Sequence, residues 1–390
     1  MECSAMPTAH QKLLLIEDDE HYAELVSRLL KAPEASSLPV DIEVTWVQYL
    51  RDGLRELSAN TFDIVLLDLR LPDSSGLGSI PKLQEADPDV AIVVLTGTND
   101  EALAMEAVRA GAQDFLTKYD LNAPNLIRSL RYALGRRKRR LLQEKLLAAE
   151  QALEAAGQLQ SMLLPKSAPV IPGLDIAGSY WPFDKVGGDY FDYFPIDGHL
   201  GLTIADVSGH GLVAAMIMVG LRRLLRSCVE IHSDLAEIMS IVNRAVCDDT
   251  RSEQFVTAWF GRLDLSTREL TYLSAGHPTY VVRASGTATC LEGTNLPLGI
   301  LRDAALTCSK PVQLHPGDLL LLLTDGLFEA MNPSKQIWGI GNVLRVIQEL
   351  RHKSADEIIA GLYAAVHAHC DPNPVGDDIA IIIVKLASTE

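Results

Sequence analysis

The chain has 390 residues, long enough for two domains and a connector. Its formal charge of -17 excludes a nucleic-acid surface as the main business of the molecule. Six cysteines without a CxxC pair exclude a zinc ribbon and suit reduced thiols. No apolar run approaches the ~18 residues of a membrane span, and MECSAMPTAHQK lacks the basic-then-apolar pattern of a signal peptide, so a cytoplasmic location is expected.

Lys12–Ile16 reads as a short apolar strand that stops on Glu17-Asp18-Asp19, and Glu20–Leu30 has helical apolar spacing. Phe62–Leu67 is a second buried strand ending on Asp68, with Leu71-Pro72-Asp73 beyond it. Ala91–Leu95 ends on Thr96, and Phe115–Thr117 ends on Lys118. Ala32–Val40 reads as a long polar loop. Strands alternating with helical segments predict a parallel sheet with right-handed crossovers. Functional groups then collect at the carboxyl ends of the strands, which here carry acid, acid, hydroxyl and amine.

That set resembles a two-component receiver domain over residues 11–135. The resemblance implies Asp68 as phosphoacceptor and a sensor histidine kinase as its partner. It implies Mg²⁺ held by Glu17, Asp18 and Asp68 with the carbonyl of Arg70. Lys118 would pair with the phosphoryl group, Thr96 would hydrogen-bond it, and Phe115 stands where the family places a switch aromatic. One residue departs: Tyr119 follows the lysine where the family usually has Pro. A cis bond without Pro costs ~2.5–4 kcal/mol, so a trans bond and a shifted loop are expected.

Residues 136–168 read as a helical linker. Pro124 suits a first helical turn, and apolar residues recur at Ile127, Leu130, Leu134 and Leu141. A second set, Leu142, Leu146, Ala149, Leu153, Ala156 and Leu163, keeps four-three spacing with Gln160 as its polar exception. The phase shift near 141–142 predicts a break. The second set suits either a coiled-coil homodimer or docking on its own domain. The run Arg136-Arg137-Lys138-Arg139-Arg140 wraps all faces of a helix, which suits a solvated linker or an acidic patch of this protein.

In residues 169–390, Leu174–Trp181, Tyr190–Phe194, Gln254–Leu263 and Glu269–Ser274 read as strands, and Leu212–Arg226 and Ser233–Asp248 as helices. Four corners set an acid against glycine and an apolar strand: Val186-Gly187-Gly188-Asp189, Gly201–Met218 with Asp206, Leu319–Gly326 with Asp325, and Gly376-Asp377-Asp378. A strand-to-helix corner with a capping Ser208 would explain Gly201–Met218 taken alone. Together the four predict converging carboxylates, which share a buried site only if cations neutralise them or protons are retained. Oxygen ligands without Cys or His pairs favour Mg²⁺ or Mn²⁺. Two such ions ~3.5–4 Å apart activate a water and stabilise in-line displacement at phosphorus.

The order GGD, DVSGHG, SAGHP (Ser274–Pro278), TDGLFEA (Thr324–Ala330) and GDDIA resembles the SpoIIE/RsbU-type branch of the metal-dependent serine/threonine protein phosphatases. The resemblance implies a two-sheet β-sandwich flanked by helices, with two Mn²⁺ or Mg²⁺ ions. Their ligands would be Asp189, Asp206, the carbonyl of Val207, Asp325 and one acid of the Asp377-Asp378 pair, the motif favouring Asp377 without excluding Asp378. His210 and His277 read as turn residues and Lys185 as a surface lysine. The chain is thus expected to be an α/β and α+β multidomain protein with a doubly wound receiver, a helical linker and a phosphatase. It would act as a response regulator that hydrolyses phosphoserine or phosphothreonine on a partner resembling an anti-sigma-factor antagonist. The alternative is an adaptor that binds a sigma-factor regulator or protease without relying on hydrolysis. The complete acidic set favours catalysis.

Overall fold

The computed structural model describes residues 11–33, 41–97, 101–196, 198–250 and 254–387. The chain forms two units, Met1–Ala149 and Glu150–Glu390. The polar loop expected over Ala32–Val40 lies largely outside the described residues.

The first unit contains β1 (Gln11–Ile16), β2 (Ile42–Val47), β3 (Ile64–Asp68), the short β4 (Arg70–Leu71) and β5 (Ser74–Ser75), β6 (Ala91–Thr96) and β7 (Asp114–Thr117). The five longer strands form a sheet in the order β2-β1-β3-β6-β7, parallel throughout. Helices α1 (Glu20–Leu29), α2 (Leu50–Ala59), α3 (Ser79–Ala86) and α4 (Glu101–Arg109) alternate with these strands. Strands β3 and β6 are buried on both faces, which is why they read as unbroken apolar runs. Strand β2 is an edge with a half-buried, interrupted pattern, and so lacks that signature.

Two acids that share these strand ends serve local structure instead. Asp19 caps α1 by accepting from the His21 amide at 2.9 Å. Asp73 accepts from the Leu50 and Arg51 amides, both at 3.0 Å, and so caps α2 from a distant loop. The Lys118–Tyr119 bond is trans, Lys118–Asp120 forms a 3₁₀ turn, and Tyr119 is exposed.

Helix α5 (Ala123–Leu163) runs for 41 residues without the break predicted near 141–142. Residues 136–156 contain neither Gly nor Pro and are dominated by strong helix formers, so the apolar phase shifts while the backbone continues. The basic run is partly neutralised within the first unit. Arg137 Nη1 lies 2.6 Å from Asp63 and its Nε donates to the Asp89 carbonyl at 2.8 Å. Arg140 donates to the Pro88 carbonyl and pairs with Asp89 at 3.1 Å. Lys138 and Arg139 are exposed. Leu142 and Leu146 are more than half exposed, at 55% and 56%.

The second unit contains β8 (Leu174–Trp181), β9 (Tyr190–Ile196), β10 (His199–Val207), β11 (Val256–Asp264), β12 (Glu269–Ala275), β13 (Thr279–Val282), β14 (Ala288–Leu291), β15 (Val312–Gln313), β16 (Leu319–Leu323) and β17 (Ile379–Leu386). Its helices are α6 (Leu212–Ile231), α7 (Leu235–Asp249), α8 (Asp325–Phe328), α9 (Ile340–Leu350) and α10 (Ala355–Cys370). The strands form two antiparallel sheets, β15-β12-β11-β10-β9 and β14-β13-β16-β17-β8. Phe191, Leu202, Ile204 and Trp259 meet Leu320, Leu322 and Ile382 between the sheets. Met218, Leu221 and Val242 of α6 and α7 cover one outer face, and Val343, Ile347 and Leu362 of α9 and α10 cover the other.

Strand β16 shows why five leucines run together. Leu320 and Leu322 face the sandwich interior while Leu319, Leu321 and Leu323 face the helices. Each buried leucine contributes roughly 1.5–3 kcal/mol, so this strand firmly anchors Asp325 just beyond its end.

Candidate active sites

In the first unit Glu17, Asp68 and Thr96 are buried at the carboxyl ends of β1, β3 and β6. Lys118 Nζ, beyond β7, lies 2.9 Å from Asp68 Oδ2 and 2.8 and 2.7 Å from Glu17 Oε1 and Oε2. Only Oε1 receives it at hydrogen-bonding geometry, which leaves Oε2 buried without a directed partner. The Arg70 amide donates to Asp68 Oδ1 at 3.2 Å. Burial pushes the Glu17 carboxyl above its ordinary value, and the Asp68 charge adds to this while Lys118 opposes it. Burial alone would lower Lys118, but its bonds to Glu17 and Asp68 hold it above its ordinary value.

Glu17, Asp18 and Asp68 each offer an oxygen, all within 4.8 Å of one another, the one such cluster among the described residues. An oxygen-only trio in which Glu17 Oε2 is buried without a directed hydrogen bond fits a hard divalent cation. Phe115 is half-buried and packs on the apolar layer that includes Val94 and Ala107.

The second unit assembles its acids from four corners. Strand β10 carries Asp206 and ends on Val207, followed by a turn in which Gly209 (φ 91) and Gly211 (φ 78) take left-handed backbone. Ser208 does not cap α6: Gly211 holds the N-cap position, and the Ser208 hydroxyl accepts from the Phe255 amide at 2.8 Å, tying the turn to β11. Asp325 opens α8 directly after β16. Asp189 precedes β9, and Asp377-Asp378 precede β17.

Asp206, Asp325 and Asp377 line a groove of about 450 Å³ whose walls include Phe183, His210 and Phe255. Asp189 is 2% exposed, and its Oδ2 has no hydrogen-bond partner. Burial, then the charges of Asp325, Asp377 and Asp378, push Asp206 up to about 7. Burial and then Asp206 hold Asp189 well above the carboxylate range. Burial and then Asp377 raise Asp325. Asp189, Asp206 and Asp325 are therefore disfavoured as anions chiefly by burial and by the other acids.

The adjacent acids Asp377 and Asp378 differ. Asp378 accepts from the Phe183 amide through Oδ1 at 2.8 Å and from the Gly188 amide through Oδ2 at 2.9 Å. It thereby holds the loop ahead of Asp189, whereas Asp377 is exposed and faces the groove. At Gly188 a Cβ would come within 2.9 Å of the Val207 carbonyl oxygen, so glycine keeps that oxygen uncrowded. Crowded carboxylates, an orphaned buried oxygen and an open carbonyl form an oxygen-only donor set that fits Mg²⁺ or Mn²⁺.

Residues 13–131 match the response regulator receiver domain family, and residues 196–387 match the stage II sporulation protein E (SpoIIE) family. The chain carries a receiver domain followed by a SpoIIE-type phosphatase domain. Protein IcfG of Synechocystis is 27% identical over 261 residues, covering 60% of this chain and 41% of that protein. The phosphoserine phosphatase RsbU of Bacillus subtilis is 26% identical over 235 residues, covering 60% of this chain and 69% of that protein. The crystal structure of the RsbU and RsbW domains of Rv1364c from Mycobacterium tuberculosis is similar with a TM-score of 0.51 at 26% identity, covering 58% of this chain and 64% of that one. The chain thus spans less than half the length of IcfG. Asp189 lies ahead of the segment matched to the SpoIIE family.

Other residues of the SpoIIE-type domain are occupied structurally. His277 is buried, its Nε2 lies 3.0 Å from the Leu323 carbonyl and its Nδ1 2.9 Å from the Thr257 hydroxyl. Burial pushes it down to about 4, so it is neutral near pH 7, and the carbonyl partner assigns the proton to Nε2. Ser274 donates to the His277 carbonyl at 2.8 Å. Lys185 pairs with Glu154 at 3.8 Å. His369 meets the Gln336 carbonyl and His367 lies edge-on to Tyr363. Phe183 carries no helical or strand periodicity, and Phe255, read as part of a strand over Gln254–Leu263, lies just ahead of β11, so neither was marked as a groove wall.

The raised acids carry a pH signature. A carboxyl whose folded pKa is raised contributes stability that is full below its unfolded value, ~4, and is lost as pH rises through the folded value. For Asp206 that window closes at about 7. Mn²⁺ is therefore expected to raise the melting temperature more at pH 8 than at pH 5.5, because at pH 8 a cation would relieve ionised, mutually repelling carboxylates. Melts with Mn²⁺ and with EDTA at both pH values check this; an equal Mn²⁺ increment would contradict it.

The receiver and SpoIIE-type assignments establish the chain's two chemical modules. Among its described residues, no helix is long and apolar enough to cross a membrane.

Proposed function

We propose that this chain is a cytoplasmic response regulator phosphorylated on Asp68, whose output is hydrolysis of phosphoserine or phosphothreonine on a partner protein. The observation that carries the reading is a groove lined by acids from three separate corners, Asp206, Asp325 and Asp377, with Asp206 pushed up to about 7 by burial and by the other acids and the buried Asp189 raised by the Asp206 charge. A purely adhesive surface has no need of carboxylates in that state.

In the receiver, an Asp68 oxygen attacks the phosphorus of a kinase phosphohistidine, the P–N bond breaks and its electron pair leaves with the imidazole. Lys118 neutralises a phosphoryl oxygen and the Thr96 hydroxyl donates to another. Glu17, Asp18, Asp68 and the Arg70 carbonyl would hold Mg²⁺. In the output domain, Asp189, Asp206, the Val207 carbonyl, Asp325 and Asp377 would hold two Mn²⁺ or Mg²⁺ ions. Such ions lower the pKa of bound water and neutralise charge at phosphorus. Asp378 keeps the Phe183–Gly188 loop in place, and the neutral His277 braces Thr257 beside the groove without adding charge.

The substrate class proposed is a phosphorylated anti-sigma-factor antagonist or a similar partner-switching protein, which the resemblance to RsbU-type phosphatases supports. Mn²⁺-dependent release of phosphate from a generic ester and from a phosphoseryl protein tests the reading. Binding of a phosphoprotein without turnover under Mn²⁺ would favour the adaptor alternative.

Regulation is proposed to run through α5, a single helix that begins after Lys118 and ends before Asp189. Beryllofluoride, a phosphoryl mimic, is expected to raise turnover by about 5–150-fold, the range of a 1–3 kcal/mol coupling. Leu146→Asp/Leu153→Asp is expected to abolish that response, with sedimentation reporting whether the Leu142–Leu163 face pairs two copies. Retained regulation in the double variant would show that the receiver bypasses the helix.

A further inference from the structure

The last turns of α5 grip the backbone that leads into Asp189. Gln160 is 5% exposed, and both ends of its amide are spent on one residue. Its Nε2 donates to the Gly187 carbonyl at 2.6 Å and its Oε1 accepts from the Gly187 amide at 3.1 Å. One turn earlier, a Cβ on Gly157 would lie 1.9 Å from the Lys185 carbonyl oxygen, so the helix backbone presses directly on the loop. On the other side, Asp378 holds the Gly188 amide at 2.9 Å, and a Cβ on Gly187 would lie 2.0 Å from Asp378 Oδ2. Gly187 and Gly188 are thus fixed from both sides, and the next residue is Asp189, with its unpartnered buried oxygen.

We propose that Gln160 is a positioning residue that sets the Asp189 carboxylate for divalent-cation binding, which rests on the reading of Asp189 as a ligand. A side chain of this kind has a purely structural option, to satisfy a buried peptide. A clamp two residues from a ligand, opposed by an acid of the same site, also fixes the direction of the ligand's Cα–Cβ bond. Partners that orient metal ligands in this way are typically worth 10–100-fold in affinity.

The test uses the full chain carrying Asp68→Asn to weaken cation binding in the receiver, with Gln160→Leu, Gln160→Glu and Gly157→Ala added singly. Calorimetry measures Mn²⁺ affinity, melts in EDTA measure the fold without metal, and kcat and KM are measured on a phosphate ester. Gln160→Leu is expected to weaken Mn²⁺ binding by about 10–100-fold and to lower kcat with KM little changed. Gln160→Glu keeps the acceptor for the Gly187 amide and is expected to fall between Leu and the parent. Gly157→Ala ordinarily favours a helix, yet is expected to weaken Mn²⁺ binding because its methyl displaces Lys185. If Gln160→Leu fails to fold, the other two variants decide. Parent-like Mn²⁺ affinity with only a lower melting point in EDTA would overturn the positioning role while leaving the functional reading intact. A parent chain that neither binds Mn²⁺ nor hydrolyses the ester would instead remove both.

Discussion

Replacing Asp206 by Asn is expected to lower phosphate-ester turnover by about a thousandfold or more, a barrier increase of ~4 kcal/mol. Asp206 is the acid against which Asp189 is most strongly set, after burial, and it faces the groove with Asp325 and Asp377. An amide keeps the shape but removes the carboxylate charge. The same substitution separates catalysis from folding, because a carboxyl pushed up to about 7 is a source of strain when ionised. In EDTA at pH 8, Asp206→Asn is expected to melt no lower than the parent. Near-parental turnover at saturating Mn²⁺ would remove Asp206 from the catalytic centre. A large fall in melting temperature in EDTA would contradict the electrostatic account.

The second large effect is expected at Asp68. Asp68→Asn should eliminate phosphoryl incorporation from a small acyl phosphate, because an amide oxygen cannot serve as the carboxylate nucleophile. Lys118 keeps its contacts to Glu17 in that variant, so the cradle survives without its acceptor. Hydroxylamine-sensitive labelling reads the acyl phosphate directly. Undiminished labelling in Asp68→Asn would place the acceptor on another residue, Asp18 being the exposed acid nearest at hand in the same cluster.

Much of the fold was legible because buried strands write themselves as apolar runs. β3, β6, β16 and β17 bury nearly every residue, and no surface face interrupts their pattern. The edge strand β2 escaped notice because its polar and half-buried residues interrupt that signature. The linker was legible as a helix, but not as one uninterrupted helix. A shift of apolar phase marks a change in which face is covered, and a stretch such as 136–156, which has neither Gly nor Pro, can change faces without breaking. Its basic stretch showed no partner in sequence, since Asp63 and Asp89 lie 74 and roughly 50 positions away.

By itself the sequence determined the strand-end chemistry: Asp68 after one apolar run, Lys118 after another, and Asp189, Asp206, Asp325 and Asp377 at glycine-flanked corners. Those are covalent adjacencies, and the cost of burying a carboxylate at the end of a strand is local. The tertiary structure alone decided what each group spends its bonds on. Asp19 and Asp73 turn to helix caps, Asp378 turns to the Phe183 and Gly188 amides, and Gln160, the polar exception of the apolar helix face, turns to the Gly187 peptide. The bond between Gly188 and Asp378 spans 190 positions of chain. Hydrogen bonds are short and directional, so such a pairing exists only once the sheets have brought both ends together, and no local pattern encodes it.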